Sequence, residues 1–140
     1  LSRILITGGP GTGKTHLAAQ VGGPCLHTDD AAYIGWSEAS AEVAKWLDLP
    51  GPLIIEGVAV PRALRKWKAR ALAAFEREHG KTRGYLELRP SWDKLIVLRT
   101  RRPEAGPETP GQAAMRKGLD TVLAEVLEGW PELRKVTEWR

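Results

Sequence analysis

The stretch LITGGPGTGKTH, residues 5–16, constrains this chain more than any other, because an apolar run there meets four glycines and then a lysine. Ordering glycine costs more backbone entropy than ordering any other residue. Such a cluster therefore points to a place where the main chain itself must come close to something. Gly8-Gly9-Pro10-Gly11-Thr12-Gly13-Lys14-Thr15 matches the pattern G-x-x-x-x-G-K-[ST], and it sits between a strand pattern at Arg3 to Thr7 and a helix pattern from Gly13 to about Val21. Successive backbone N–H groups in such a loop converge on an anion, and the start of the following helix adds its own unpaired donors and positive dipole end. The expectation is a phosphate cradle over Gly8 to His16. Lys14 would bridge the β- and γ-phosphates of ATP or another nucleoside triphosphate, and the Thr15 hydroxyl would hold Mg²⁺. An ordinary glycine turn is the alternative, and it leaves the flanking strand and helix unexplained.

The rest of the chain alternates short apolar runs with longer amphipathic ones, the grammar of βαβ units around a parallel sheet. Strands are expected at Arg3 to Thr7, Cys25 to Thr28, Leu53 to Glu56, Lys94 to Arg99 and, more weakly patterned, Lys135 to Trp139. Helices are expected from Gly13 to Val21, from Ser37 as N-cap to before Pro50, from Pro61 to His79 with Gly80 as the stop, and from Pro110 to Glu128. In the third, Leu64, Trp67, Ala71 and Phe75 keep helical spacing as the core stripe. The polar stretch 80–93 reads as irregular. TRRPEAGPETPG, residues 100–111, carries three prolines and two glycines and reads as a mobile loop, long enough in a compact domain to be a functional lid. At 140 residues and 42% hydrophobic content, one α/β domain spanning 1–140 is expected.

Charge bounds the function less tightly. Twenty-one Lys and Arg against 17 Asp and Glu give a net charge of +4, compatible with a phosphate-rich partner and equally with a solvated surface. No apolar run approaches the roughly 20 residues that cross a bilayer, and no secretory leader pattern is visible. The lone Cys25 lies in an apolar stretch and reads as a buried structural thiol, which with no disulfide partner suggests a reducing, cytoplasmic setting. The six tryptophans fall mostly where packing is the default.

Chemistry beyond the cradle is sought at the carboxyl ends of the strands, where an open α/β sheet binds its ligands. The second strand ends in Asp29-Asp30. A carboxylate there can take the proton of an attacking hydroxyl and hold the metal, although a turn or N-cap would also favour Asp. The third strand ends in Glu56, suited to a metal contact, without the adjacent acid pair of a motor ATPase. Arg62, Lys66, Arg70 and Arg77 fall along one side of the third helix, with Arg65 at its margin; a solvated basic face is the bland reading. Arg62, at the helix start, is placed to clamp a phosphate of the acceptor. Arg99, Arg101 and Arg102 enter the proline-rich loop, and Arg116 and Lys117 follow it. An arginine on a closing flap would neutralise charge that develops in phosphoryl transfer, with Arg101 or Arg102 as the first choice.

With GGPGTGKT, then LHTDD followed by Tyr33, then the apolar strand with PRALRKW and the helix end FEREHG, most of the chain resembles the P-loop kinases related to phage polynucleotide kinase and zeta toxin. The resemblance implies a P-loop NTPase three-layer sandwich with a five-stranded parallel sheet of order 2-3-1-4-5 and helices on both faces. It also implies that Asp29 is the general base and that a lid arginine contacts the phosphates. The chain departs from that family's pattern in having Glu56-Gly57-Val58 after the third strand, and Ala32 near the point where the phage enzyme carries a substrate-gripping arginine.

These observations lead to an ATP- and Mg²⁺-dependent kinase that transfers the γ-phosphate to a hydroxyl of a nucleic acid or nucleotide, with a phage DNA-modifying kinase as one form. The site is expected to hold Lys14, Asp29, Arg101 and Arg102 as catalytic groups, Asp30, Arg62 and Arg116 on the acceptor, and Thr15, Asp29 and Glu56 around the metal. A small-molecule kinase acting on a nucleoside or metabolite is the runner-up, and a nucleotide-dependent switch ATPase is the alternative from another class.

Overall fold

A computed structural model describes residues 2–81 and 90–140. The centre is an all-parallel five-stranded sheet in the order β2-β3-β1-β4-β5, formed by β1 (Arg3–Gly8), β2 (Cys25–His27), β3 (Leu53–Glu56), β4 (Lys94–Leu98) and β5 (Thr137–Trp139). The helices are α1 (Lys14–Val21), α2 (Trp36–Trp46), α3 (Val60–His79), α4 (Pro110–Gly129) and the short α5 (Pro131–Lys135).

Handedness decides where the helices lie. Crossovers between parallel strands are right-handed almost without exception. From β1 to β2 the chain moves toward one sheet edge, and from β2 onward every connection moves toward the other. The first crossover helix must therefore cover the face opposite to the rest. Accordingly, Leu17 and Ala18 of α1 pack on Ile6, Ile54, Ile96 and Leu98. The opposite face carries Leu5, Ile55, Leu95 and Val97 under Val43 of α2, Leu64 and Trp67 of α3, and Leu123 and Val126 of α4. Strand residues buried on both faces explain why these runs read as continuously apolar.

Several local features differ from the sequence expectations. Between β2 and α2 the chain makes a 3₁₀ stretch, Thr28–Ile34, which carries the acid pair. Helix α2 begins at Trp36 behind Gly35, not at Ser37; Gly35 takes φ 99° and leaves no side-chain cap. The stripe on α3 is buried at Leu64 and Trp67 but fades toward its end, where Phe75 is half-buried and stacks on His79 at 4.4 Å. Lys135, expected to open the last strand, instead ends the short helix that Pro131 starts, and β5 begins only at Thr137. Cys25, expected to be buried, is partly exposed, since β2 is an edge strand. Residues 82–89 of the stretch expected to be irregular lie outside the described residues, and 90–93 form no helix or strand.

Candidate functional site

The glycine loop leaves β1 at the carboxyl edge of the sheet and enters α1 through Gly13, which stands at the N-cap in the left-handed region at φ 90°. A Cβ at Gly13 would sit 2.8 Å from Cδ of Arg102, so both its dihedral and its neighbour require glycine. Thr12 is buried behind the turn, and its hydroxyl donates to the Gly9 carbonyl at 2.8 Å, holding the loop's shape. The loop borders a cleft of about 620 Å³, into which Gly11, Gly13, Lys14, Thr15 and His16 face. The start of α1 opens onto this cleft, as anion binding requires.

The acids of the neighbouring strands line the same cleft. Asp29 lines it and makes no hydrogen bond or salt bridge among the described residues. Glu56, only 3% exposed, accepts from the Thr15 hydroxyl at 3.3 Å and meets Nδ1 of His27 at 2.5 Å. That last contact follows from the sheet: His27 and Glu56 are register partners at the ends of β2 and β3. Lys14 donates from Nζ to the Gly9 carbonyl at 2.9 Å. Burial lowers its pKa below the ordinary 10.5, while the charges of Glu56 and then Asp29 pull it back up. The cleft thus holds a partly desolvated ammonium together with two carboxylates.

The bend after β3 brings these walls together. Gly57 has φ 148°, and a Cβ there would fall 1.8 Å from the Thr28 hydroxyl oxygen. Nothing larger than glycine lets β3 leave the sheet so close to β2. The Thr28 oxygen is itself buried without a hydrogen-bond partner among the described residues.

The structure sorts the predicted arginines. Arg101 was expected to reach phosphate. Instead its guanidinium donates to the carbonyls of Pro10 at 2.8 Å, Ala105 at 2.9 Å, Gly106 at 2.7 Å and Pro107 at 3.4 Å. The reason lies in the prolines of 100–111, which supply carbonyls but no N–H donors; one five-donor side chain meets that need. The same segment is tied to the glycine loop by the Arg102 amide donating to the Gly11 carbonyl at 2.7 Å. Arg102, by contrast, lines the cleft, and among the described residues its side chain has only an exposed ion pair with Glu104 at 3.4 Å. Arg116, expected on the acceptor, is held by Glu108 through two bonds of 2.9 and 3.1 Å, with its stem against Gly9. Asp30 is exposed and is not on the cleft wall, because the 3₁₀ turn directs successive residues to different sides.

The middle of the basic side of α3 is likewise committed elsewhere. Arg65 pairs with Glu125 at 3.3 Å, Arg70 with Asp48 at 3.0 Å, and Lys66 donates to the Ser37 carbonyl at 2.5 Å. Arg62 differs: it is half-buried and makes no hydrogen bond or ion pair among the described residues.

Four cleft residues were not foreseen: Trp36, Val58, Gln112 and Met115. Nothing in local spacing marks them, because they come from three separate connections. His27 had a visible signal, since it ends the strand next to the one that ends in Glu56. Its partnership needed the strand order as well.

A fit for a divalent cation can be judged from the donors. A hydroxyl, two carboxylates and phosphate oxygens form the hard oxygen set that Mg²⁺ accepts while keeping several waters. Thr15 and Glu56 already lie within bonding reach of each other, and Asp29 faces the same space. The described residues contain no group of three or more His, Cys, Asp and Glu side chains that would cage a metal alone; a metal here would share its shell with phosphate.

Among the described residues, no helix is long and apolar enough to cross a membrane. No protein-family model and no curated protein matches the chain.

Proposed function

We propose that this chain is a P-loop kinase, moving the γ-phosphoryl group of ATP, with Mg²⁺, to a hydroxyl of a nucleic acid or nucleotide. One observation carries the reading: Asp29, with its carboxylate unbonded, shares a single cleft with Lys14, Thr15 and the buried Glu56. A phosphate tail seated on the loop amides meets Lys14 on one side. An acceptor hydroxyl entering opposite the loop meets Asp29.

In the transfer, the acceptor O–H bond breaks and its proton passes to the Asp29 carboxylate. The acceptor oxygen bonds the γ-phosphorus, and the bond from that phosphorus to the β–γ bridging oxygen breaks, releasing ADP. Lys14 exchanges its bond to the Gly9 carbonyl for phosphate oxygens, which also compensates the burial of its charge. Arg102 is the lid arginine suited to meet charge on the transferring group. Thr15, Glu56 and Asp29 would hold Mg²⁺, which when bound offsets phosphate charge and orients the tail. His27 fixes the Glu56 carboxylate from behind.

A second acceptor class, a small molecule, is favoured by one observation. Arg65, Lys66 and Arg70 are paired within the fold, so the basic side of α3 is not a track for a polyanion.

The test combines a transfer screen using γ-labelled ATP over DNA, RNA, nucleosides and sugars with the variant Asp29→Asn. A general base contributes about 10²- to 10⁴-fold. Transfer in Asp29→Asn is therefore expected to fall by at least about a hundredfold while ATP still binds. Native-rate transfer in that variant removes Asp29 from the mechanism. ATP hydrolysis without transfer to any acceptor replaces the kinase with a switch ATPase.

A further inference from the structure

The cleft does not end at Asp29. A second cavity of about 360 Å³ continues from it, lined by Trp36, Val58, Arg62 and Met115. Trp36, Val58 and Met115 line both spaces, so the two adjoin. Resting on the kinase reading above, we infer that this annex is the acceptor subsite and that it takes one small unit: a planar ring carrying a single anionic group, rather than a strand.

Each half of that ligand has a partner. Trp36 is 54% exposed although it begins a helix in the middle of the fold, while Trp67 and Trp130 are buried. Gly35 at φ 99° turns the chain immediately before it. An exposed indole and a thioether lining one cavity offer apolar contact for a flat ring. The anionic group belongs to Arg62. Its guanidinium lies beside Gly118 of α4, where a Cβ would stand 3.1 Å from a terminal nitrogen, so α4 is cut away where the arginine passes. Arg62 alone of the five cations from the start to the middle of α3 (Arg62, Arg65, Lys66, Lys68, Arg70) has no partner among the described residues. A half-buried guanidinium without a carboxylate is a receptor for one anion.

The limit to one unit follows from what surrounds the annex. A strand that tracks a protein surface needs a row of available cations, with affinity that falls steeply as salt rises. The next cations along α3 are bound to Glu125, Asp48 and the carbonyls of Ser37 and Gly129, and Arg77, without a partner among the described residues, stands at the far end of the helix. A second phosphate would find no partner there.

The experiment uses the full chain with ATP and Mg²⁺ and compares four acceptors: a nucleoside 3′-monophosphate, the same nucleoside without phosphate, ribose 3-phosphate and a 5′-hydroxyl DNA ten-mer. Wild type is expected to prefer the 3′-monophosphate over both the nucleoside and the ribose phosphate by about tenfold in KM, the scale of one charge-assisted bond or one stacked base. The ten-mer should gain nothing over the mononucleotide, and its log KM should change with log salt by a slope of at most about one, as for a single phosphate. Arg62→Gln should erase the difference between nucleotide and nucleoside. Trp36→Leu should erase that between nucleotide and ribose phosphate. Both losses should fall on the acceptor's KM rather than on that of ATP. A ten-mer favoured tenfold or more with a steep salt slope overturns the single-unit inference, as does an unchanged acceptor KM in both variants, or transfer to none of the four from bound ATP. Failure of wild type to bind ATP at all, measured by calorimetry with a non-hydrolysable analogue, instead sinks the kinase reading.

Discussion

The two ends of the sheet hold polar groups in opposite ways. At the amino end Arg3 is saturated. Its guanidinium donates to the carbonyls of Ser91 at 2.6 Å, Leu49 at 2.7 Å, Gly51 at 2.6 Å and Leu47 at 3.3 Å, and its face lies 4.4 Å from the Trp92 ring. Its backbone N–H adds a bond to Asp93 at 2.8 Å. At the carboxyl end Arg62 and Asp29 make no such bonds among the described residues, the Thr28 hydroxyl is buried without a partner, and Lys14 is charged against its burial. Groups that could satisfy one another are kept apart there. The lesson is a partial division of labour: both ends close loops, Arg3 at one and Arg101 at the other, but the carboxyl end also keeps capacity for a ligand.

That contrast can be broken at either end. The largest effect is expected from Lys14→Ala, which should lower turnover by about 10²- to 10³-fold, the scale for removing one donor to developing charge. Because the native ammonium is desolvated, the same variant should unfold at an equal or higher temperature. A large fall in Tm would show that Lys14 holds the fold rather than the ligand.

Next in size is Arg3→Leu. Losing several carbonyl partners at once should cost about 2–3 kcal/mol by urea denaturation, with the dissociation constant of ATP unchanged. A change in ATP affinity comparable to the stability loss would erase the distinction between the two ends.

A smaller effect concerns pH. Burial puts the Lys14 pKa in the free protein below 10.5, and phosphate should raise it. ATP affinity should then fall as pH climbs through the lowered Lys14 pKa, since only the protonated side chain favours binding. For folding the sign is opposite. A lysine whose folded pKa is depressed opposes folding while charged, so its cost is relieved as pH rises from the folded value toward 10.5. Lys14→Arg should remove the alkaline loss of ATP affinity; its persistence would assign the titration elsewhere.

The smallest effect is expected from Arg70→Gln. The pair with Asp48 is about half exposed, and such pairs contribute about 0–1 kcal/mol. Neither stability by calorimetry nor transfer rate should change beyond that. A marked loss of oligonucleotide transfer would restore the basic side of α3 as a binding surface.

Local patterns carried much of the fold. The five strands lie where apolar runs were bounded by turn residues, and Gly80 ends α3 at φ 71° as its position suggested. The glycine loop and Asp29 were legible for the same reason: a motif of contiguous residues, and a carboxylate at the end of a strand. Arg101 was misjudged because charge type and loop position are all that a sequence offers, whereas the carbonyls left over by three prolines chose its partners. The six tryptophans read mostly as packing residues, and only exposure in the fold sets Trp36 apart from the buried Trp67 and Trp130.

By itself, the sequence determined which segments become strands and helices and where main-chain amides would be bare, because periodicity and glycine placement act over a few neighbouring residues. Only the tertiary structure decided which charges are neutralised. Arg101, Arg116, Arg65 and Arg70 find partners contributed by other segments or other turns, while Arg62 and Asp29 find none among the described residues. Coulomb attraction and desolvation depend on distance and burial through space, and neither quantity exists until the crossovers have folded.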